Sequence, residues 1–420
     1  MQKQNVIIVG GGICGLHAAS LLADECNVTI LEGNSRLGGR ILDVGEGGFS
    51  GIVKRGAEFI HGDAQLSFSL LEKAGIEYKE VDGKMYSMKL GKVEETEFFI
   101  EGWDELMQRM EEVKVDITLH EFLAYYFKED KYGELRRQAM RYAEGYDIAD
   151  PDKVSVMTLY KEWSADEATY QLDKGYGALI AYLENECEQK GASIQVDSVV
   201  QHVEWSEGKV RVQAEAGQSF EADRVIVTIP LGVLQKQGQR NSITFSPTLD
   251  THIAAAQKIG FGAVVKASLE FKEAFWDRDM AFVFGDQLFQ TWWTQMPYES
   301  NVLTGWAGGI KAKTLSAFSE EELHHAAISS IAEIYNMPLA SVKENLKAIN
   351  VANWQINEWS NGAYSYPTPA TKEAREVLNT PASNTVYFAG EALYDGAFSG
   401  TVEAALLTAQ STVKAILDLR

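Results

Sequence analysis

The sequence predicts an α/β fold in two domains. One is a Rossmann-like, doubly wound parallel sheet; the other combines an antiparallel sheet with helices. Three observations carry this expectation. At 420 residues the chain is longer than one hydrophobic core organises. Residues 5–40 read as strand, glycine turn, helix, strand and turn, which is one βαβ unit. A helix-patterned block and a second run of strand-like segments follow it.

Residues 6–9 form an apolar run suited to a strand covered on both faces, 13–23 have helical character, and 28–31 form a second strand. From about 86 to 190, charged and apolar residues recur at helical spacing, as in 103–113, 119–127 and 132–142, which predicts a helical subdomain. Residues 193–196, 199–205 and 209–213 alternate like strands around a Glu207-Gly208 turn, and 224–229 is a buried strand halted by Pro230. Residues 263–271, 281–284, 289–295 and 302–307 predict a second, antiparallel sheet. Helical spacing returns at 320–335; a strand at 385–388 and a helix at 401–419 close the chain.

Composition bounds the function. A hydrophobic fraction of 45% with 23% charged residues is that of a soluble globular protein. No apolar run approaches the roughly 18 residues of a membrane-spanning helix, and no secretory signal precedes the first strand. Three widely spaced cysteines (Cys14, Cys26, Cys187) lack metal-ligand spacing, and a reducing, cytoplasmic setting is expected. The formal charge of −22 argues against nucleic-acid binding. Such acidity mainly keeps a protein soluble and makes a minor contribution to gathering cations.

Gly10-Gly11-Gly12-Ile13-Cys14-Gly15 satisfies G-x-G-x-x-G through Gly10, Gly12 and Gly15. One glycine permits the tight turn, one lets backbone approach a pyrophosphate, and one lets helix and strand pack closely. The helix N-terminus then offers unpaired N–H groups to the phosphates. The motif lies between a strand and a helix, and Glu32 ends the next strand, where a carboxylate accepts hydrogen bonds from ribose hydroxyls. Leu37-Gly38-Gly39-Arg40 adds two glycines and an arginine able to meet a phosphate, an element that a nicotinamide dehydrogenase lacks at this point.

From Glu32 through Arg40 the chain resembles the flavin monoamine oxidase and polyamine oxidase family, which includes the histone lysine demethylases. Further segments carry the resemblance in the family's order. They are Gly56-Ala57-Glu58-Phe59-Ile60-His61-Gly62, Val227-Thr228-Ile229-Pro230-Leu231-Gly232-Val233-Leu234, Lys266 with Phe275-Trp276, Trp354 with Gly362-Ala363-Tyr364, Tyr387-Phe388-Ala389-Gly390-Glu391, and Gly400-Thr401-Val402-Glu403-Ala404-Ala405. The resemblance implies FAD as cofactor. Gly390 and Glu391 would close over its phosphates and ribityl chain, and the Val402 N–H would face the flavin pyrimidine. Val199 would contact the adenine, and Trp354 would pack beside the flavin.

The resemblance also implies the chemistry: hydride transfer from the carbon beside an uncharged amine nitrogen to flavin N5. The products are an imine, hydrolysed to an aldehyde, and hydrogen peroxide. Lys266, in an apolar strand, would hold a water at N5 and assist reoxidation. Tyr364 would form one wall of an aromatic cage, with Thr401 opposite, where many relatives have an aromatic residue. His61 would bind or deprotonate the amine. Ala363 stands where monoamine oxidases have the cysteine that links FAD covalently, so a non-covalent cofactor is expected. Trp292, Trp293 and Trp306 read as core residues without a role.

The expected FAD domain comprises 1–85, 191–260 and 384–420, and the substrate domain 86–190 and 261–383. The expected partners are a small-molecule amine, polyamine or monoamine, and oxygen, with neither nucleic acid nor membrane. An L-amino-acid oxidase on the same scaffold is one alternative, although no motif places the arginine it needs. A non-catalytic flavin-binding partner protein is another.

Overall fold

The computed structural model describes residues 3–45, 47–89, 92–96, 100–165 and 168–419. A five-stranded sheet, parallel throughout, runs in the order Ser193–Gln195, Cys26–Leu31, Gln4–Val9, Arg224–Val227 and Val386–Phe388. Its first strand in sequence is central, because the chain leaves Gln4–Val9 to one side and returns on the other. The crevice beyond the carboxyl ends of Gln4–Val9 and Arg224–Val227 is therefore a topological switch point, where doubly wound sheets bind ligands.

Val6, Ile8, Val28 and Ile30 pack one face of this sheet, and Ile7, Val9, Val225 and Val227 pack the other. Coverage on both faces explains the unbroken apolar runs. The helices Ile13–Leu22 and Val402–Leu417 cover the first face. Ile13–Leu22 is buried on nearly all sides and so shows no polar stripe. A four-stranded sheet, in the order Ser219–Ala222, Lys209–Ala214, Val200–Ser206 and Thr244–Ser246, lies on the second face.

The second large sheet has seven strands, ordered Leu346–Asn353, Val264–Phe271, Val302–Gly308, Thr291–Trp293, Met280–Phe284, Lys84–Lys89 and Lys92–Glu95. Val264–Phe271 is buried along its whole length, paired with Val302–Gly308 on one side and Leu346–Asn353 on the other. Helix Glu320–Ile334 packs into the same core, its start fixed by a Ser319/Glu322 capping box.

Several elements differ from the sequence expectation, among them Thr169–Leu172, a strand between Phe59–His61 and Tyr78–Glu80 inside the block expected to be helical. Lys84–Lys89 and Lys92–Glu95 are strands inside the block expected to be helical, and Lys84–Lys89 pairs parallel with Met280–Phe284, so the sheet is mixed. Lysines frame this outermost hairpin, as on edge strands that must not pair further, and such charges blur the period-2 signal. Helix Gly177–Gln189, assigned with the substrate domain, instead packs on Ile13–Leu22 through Leu179, Leu183 and Cys187. Its apolar face matches that core, which sequence position alone does not reveal.

His17 is buried within Ile13–Leu22, and neither ring nitrogen has a hydrogen-bond partner among the described residues. Burial, helped by Lys73, pushes its pKa down to about 4. The unfolded chain binds this proton near pH 6.5 and the folded chain only near 4, so stability falls as pH drops through that window. The loss is about 3 kcal/mol. Denaturant unfolding of His17→Leu between pH 6.5 and 4 is expected to show a shallower decline than the parent; parallel curves would remove this assignment.

Candidate active site

A cavity of about 1040 Å³ opens at the switch point and runs from the glycine loop to the seven-stranded sheet. Small-molecule sites span roughly 300–1,000 Å³, so this one suits a large cofactor with a substrate in front of it. At its first end the three glycines have different surroundings. Gly10 adopts φ +114°, closed to other residues. A Cβ on Gly12 would meet nothing within 4 Å, since it faces the cavity, whereas one on Gly15 would lie 2.0 Å from the Gly10 carbonyl oxygen. Gly12 caps helix Ile13–Leu22 without a side-chain hydrogen bond, and no acidic residue occupies the first turn. The helix therefore presents N–H groups and its positive end to an anion.

Glu32 is buried, with Oε2 accepting from the Gly11 N–H and Oε1 from the Asn34 N–H, each at 2.7 Å. Burial raises its pKa and these two hydrogen bonds lower it. Each oxygen keeps a lone pair for a hydroxyl donor. Arg36 holds the Gly38-Gly39 turn by donating to the carbonyls of Leu37, Gly39 and Ile41.

Arg40 Nη1 donates to Glu391 Oε1 and the Ala363 carbonyl, both at 2.7 Å, and Ser365 Oγ donates to Glu391 Oε2 at 2.6 Å. The Glu391 carboxylate thus fixes Arg40 and the Ser365 strand. Gly390, at φ +155°, would point a Cβ into open space. Val199, Gly39, Val402 and Trp354 also line the cavity, and Trp354 Nε1 is anchored on the Arg55 carbonyl at 2.9 Å.

At the far end the structure brings Lys266, Tyr364, His61 and Thr401 to one cavity. Lys266 is 3% exposed and donates to Glu58 Oε2 at 2.6 Å and to the Gly56 carbonyl at 3.0 Å. It sits directly opposite Trp306 on the neighbouring strand, and the Trp306 ring stacks on Tyr364 with centroids 6.3 Å apart. The Trp306 indole donates to the Gly145 carbonyl and the Tyr364 hydroxyl to the Tyr146 carbonyl, each at 2.9 Å. Both bonds serve carbonyls at the C-terminus of helix Gly133–Gly145, which otherwise lack intrahelical partners.

Trp306 and Trp293, read from sequence as core, line the cavity, whereas Trp292 is fully buried. Lys266 faces the cavity, and its cross-strand partner Trp306 does too, a register that only the folded sheet gives. Thr401 caps helix Val402–Leu417, accepting from the Ala404 N–H at 3.2 Å and donating to the Phe398 carbonyl at 2.8 Å. Its hydroxyl is committed to the backbone, and the aromatic neighbour of Tyr364 is Trp306 rather than a residue at 401.

Burial pushes His61 down to about 4. It is neutral at neutral pH and a weak base there, which favours hydrogen bonding over deprotonation of the amine. Asp147 and Glu162 line the cavity near Tyr364, with Trp163 Nε1 donating to Asp147 Oδ2 at 3.0 Å. Arg141 also lines it and forms an ion pair with Asp286. Cys14 borders the glycine loop, where burial pushes its thiol up to about 12 and keeps it protonated.

The family model described as "Flavin containing amine oxidoreductase" matches residues 13–417. The chain belongs to this family. Its cofactor is FAD, and the uncapped helix, the two open glycines and the buried Glu32 fit such a dinucleotide. The chain is 26% identical to lysine-specific histone demethylase 2 of Homo sapiens over 93% of its own length. It spans only 50% of that relative and of the mouse demethylase 1B. It is 25% identical to the peroxisomal N(1)-acetyl-spermine/spermidine oxidase of Bos taurus, over 96% of this chain and 92% of that one.

Among solved structures, a putrescine oxidase bound to putrescine matches with a TM-score of 0.82 at 20% identity, covering 99% of each chain. Cyclohexylamine oxidase from Brevibacterium oxydans matches at 0.81 and 20%, covering 100% of this chain and 99% of that one. At this identity the likeness establishes the shared fold.

Position 363 carries no thiol, and Cys14, the cysteine among the described residues lining the cavity, is kept protonated by burial. Acid precipitation of the holoprotein is expected to release FAD into the supernatant. Flavin retained in the pellet would contradict non-covalent binding.

Proposed function

We propose that this protein oxidises a primary or secondary amine, with polyamine-type substrates ahead of monoamines, using oxygen as electron acceptor. The observation that carries this reading is the convergence of Lys266 and Tyr364 on the cavity that begins at the glycine loop. FAD would be held by Gly10, Gly12, Gly15, Glu32, Arg40, Val199, Gly390 and the Val402 helix end, and would supply the hydride acceptor. All other roles belong to the chain's own residues.

Tyr364 and Trp306 set an aromatic wall against which an alkyl amine packs. Burial against this wall favours the uncharged nitrogen that hydride loss requires, because burial penalises the ammonium. Asp147 and Glu162 make the region beside Tyr364 negative; they, after burial itself, push the Tyr364 hydroxyl up. That field suits a second, distal ammonium. His61 stays neutral and offers a hydrogen bond. Lys266, fixed by two hydrogen bonds, supplies a positive charge where oxygen reduction develops negative charge.

Anaerobic mixing of the yellow holoprotein with diamines, polyamines, monoamines and L-amino acids tests this. Bleaching by amines, fastest with polyamines, is expected. Bleaching by amino acids alone would favour the amino-acid oxidase, and no bleaching by any of them would favour a binding protein.

A further inference from the structure

We infer that Glu58 is a positioning residue for Lys266, holding the ammonium so that one N–H remains for the cavity. An ammonium has three donors and no acceptor. On Lys266 one donor goes to Glu58 Oε2 and a second to the Gly56 carbonyl. Among the described residues the third has no hydrogen-bond acceptor, and Lys266 lines the cavity.

Both anchors are themselves fixed. Glu58 Oε1 accepts from Gln171 Nε2 at 2.9 Å, and Gln171 is fully buried on strand Thr169–Leu172. Gly56 runs so close to Arg40 that a Cβ would lie 1.9 Å from the Arg40 carbonyl oxygen, which sets the direction of the Gly56 carbonyl. The Trp293 ring, 5.4 Å from the Lys266 Nζ, closes a further side.

The pair is 2–3% exposed, so neither charge is tolerable alone. Burial pushes the Glu58 carboxyl up, but Lys266 and Lys54 outweigh it and hold Glu58 ionised. A lysine on an apolar strand without this anchor would adopt several rotamers; a 2.6 Å charge-assisted bond selects one. Glu58 lies in the Gly56–Gly62 segment, in which the family resemblance gives a task to His61 alone.

The inference rests on the flavin reading of Lys266, and the test separates the two. Photoreduce the bound flavin without substrate, mix with oxygen, and follow reoxidation in the parent, Glu58→Gln, Glu58→Leu, Lys266→Met and Glu58→Leu/Lys266→Met. FAD content and thermal midpoint are measured on each. Glu58→Leu is expected to slow reoxidation about tenfold or more, and Glu58→Gln, which retains an acceptor for Lys266, only several-fold, in line with couplings of contacting residues. Adding Glu58→Leu to Lys266→Met should cost nothing further. That partial rescue by glutamine is not expected of a residue needed only for folding.

Parental reoxidation in Glu58→Leu, equal damage from glutamine and leucine, or multiplying effects in the double variant would each overturn the assignment. Should Glu58→Leu fail to bind FAD, the cycle of Glu58→Gln with Lys266→Met decides on the same non-additivity. Parental reoxidation in Lys266→Met would instead remove the flavin role of Lys266, and the positioning role with it.

Discussion

Lys266→Met is expected to slow oxygen-driven reoxidation of the reduced flavin about 100-fold while FAD content stays near that of the parent. Methionine keeps most of the side-chain volume in a strand where every position is buried, so packing between Val302–Gly308 and Leu346–Asn353 survives. What is lost is a fixed positive charge in a buried position. Removing one preorganised donor from such a place costs a factor of about 10²–10³. Glu58 loses its nearest counter-ion but keeps Gln171 and the nearby charge of Lys54, so some thermal destabilisation is expected without loss of cofactor. Stopped-flow reoxidation of photoreduced protein measures the rate directly. Equal rates in mutant and parent would show that Lys266 serves the fold alone.

Gly12→Val is expected to give a folded protein without flavin. Gly12 has φ −75° and ψ 179°, which any residue adopts, and a Cβ added there would have no atom within 4 Å. The added methyl groups would occupy the space at the helix end where a pyrophosphate approaches, so cofactor binding should drop at least about 100-fold, or roughly 3 kcal/mol. Gly15→Ala is the contrast: its Cβ would collide with the Gly10 carbonyl oxygen, and the soluble yield itself should fall. Flavin content per chain after purification in added FAD, with circular dichroism as the folding control, separates the two. A yellow Gly12→Val protein would move the phosphates elsewhere.

What the sequence disclosed and what it hid divide along physical lines. The glycine loop was legible because backbone approach, tight turning and helix packing each demand glycine, and Glu32 follows at the end of the next strand. The buried sheets were legible as apolar runs. Lys266 stood out as a charge in such a run. Its anchor did not, since Glu58 and Gln171 are separated from it by long stretches of sequence and meet it only through the fold. Trp293 and Trp306 looked like core because strand alternation shows that two faces exist without showing which one borders a cavity. Thr401 lines the cavity, as its family position suggested, and its hydroxyl also serves the helix start, which the sequence did not show. Helix Gly177–Gln189 carried a clear helical pattern, but nothing local told which core its apolar face would join.

Amine oxidation by this chain requires the flavin ring to lie between Lys266 and Tyr364, and a crystal structure of the FAD-loaded protein tests that most directly. The adenosine end should rest against Glu32 and Val199, the pyrophosphate at Gly12, and the ring in front of Trp354, with Lys266 and Tyr364 both in reach of it. A ring bound elsewhere, with those two side chains remote from it, would contradict the amine chemistry and leave a dinucleotide-binding fold of other purpose.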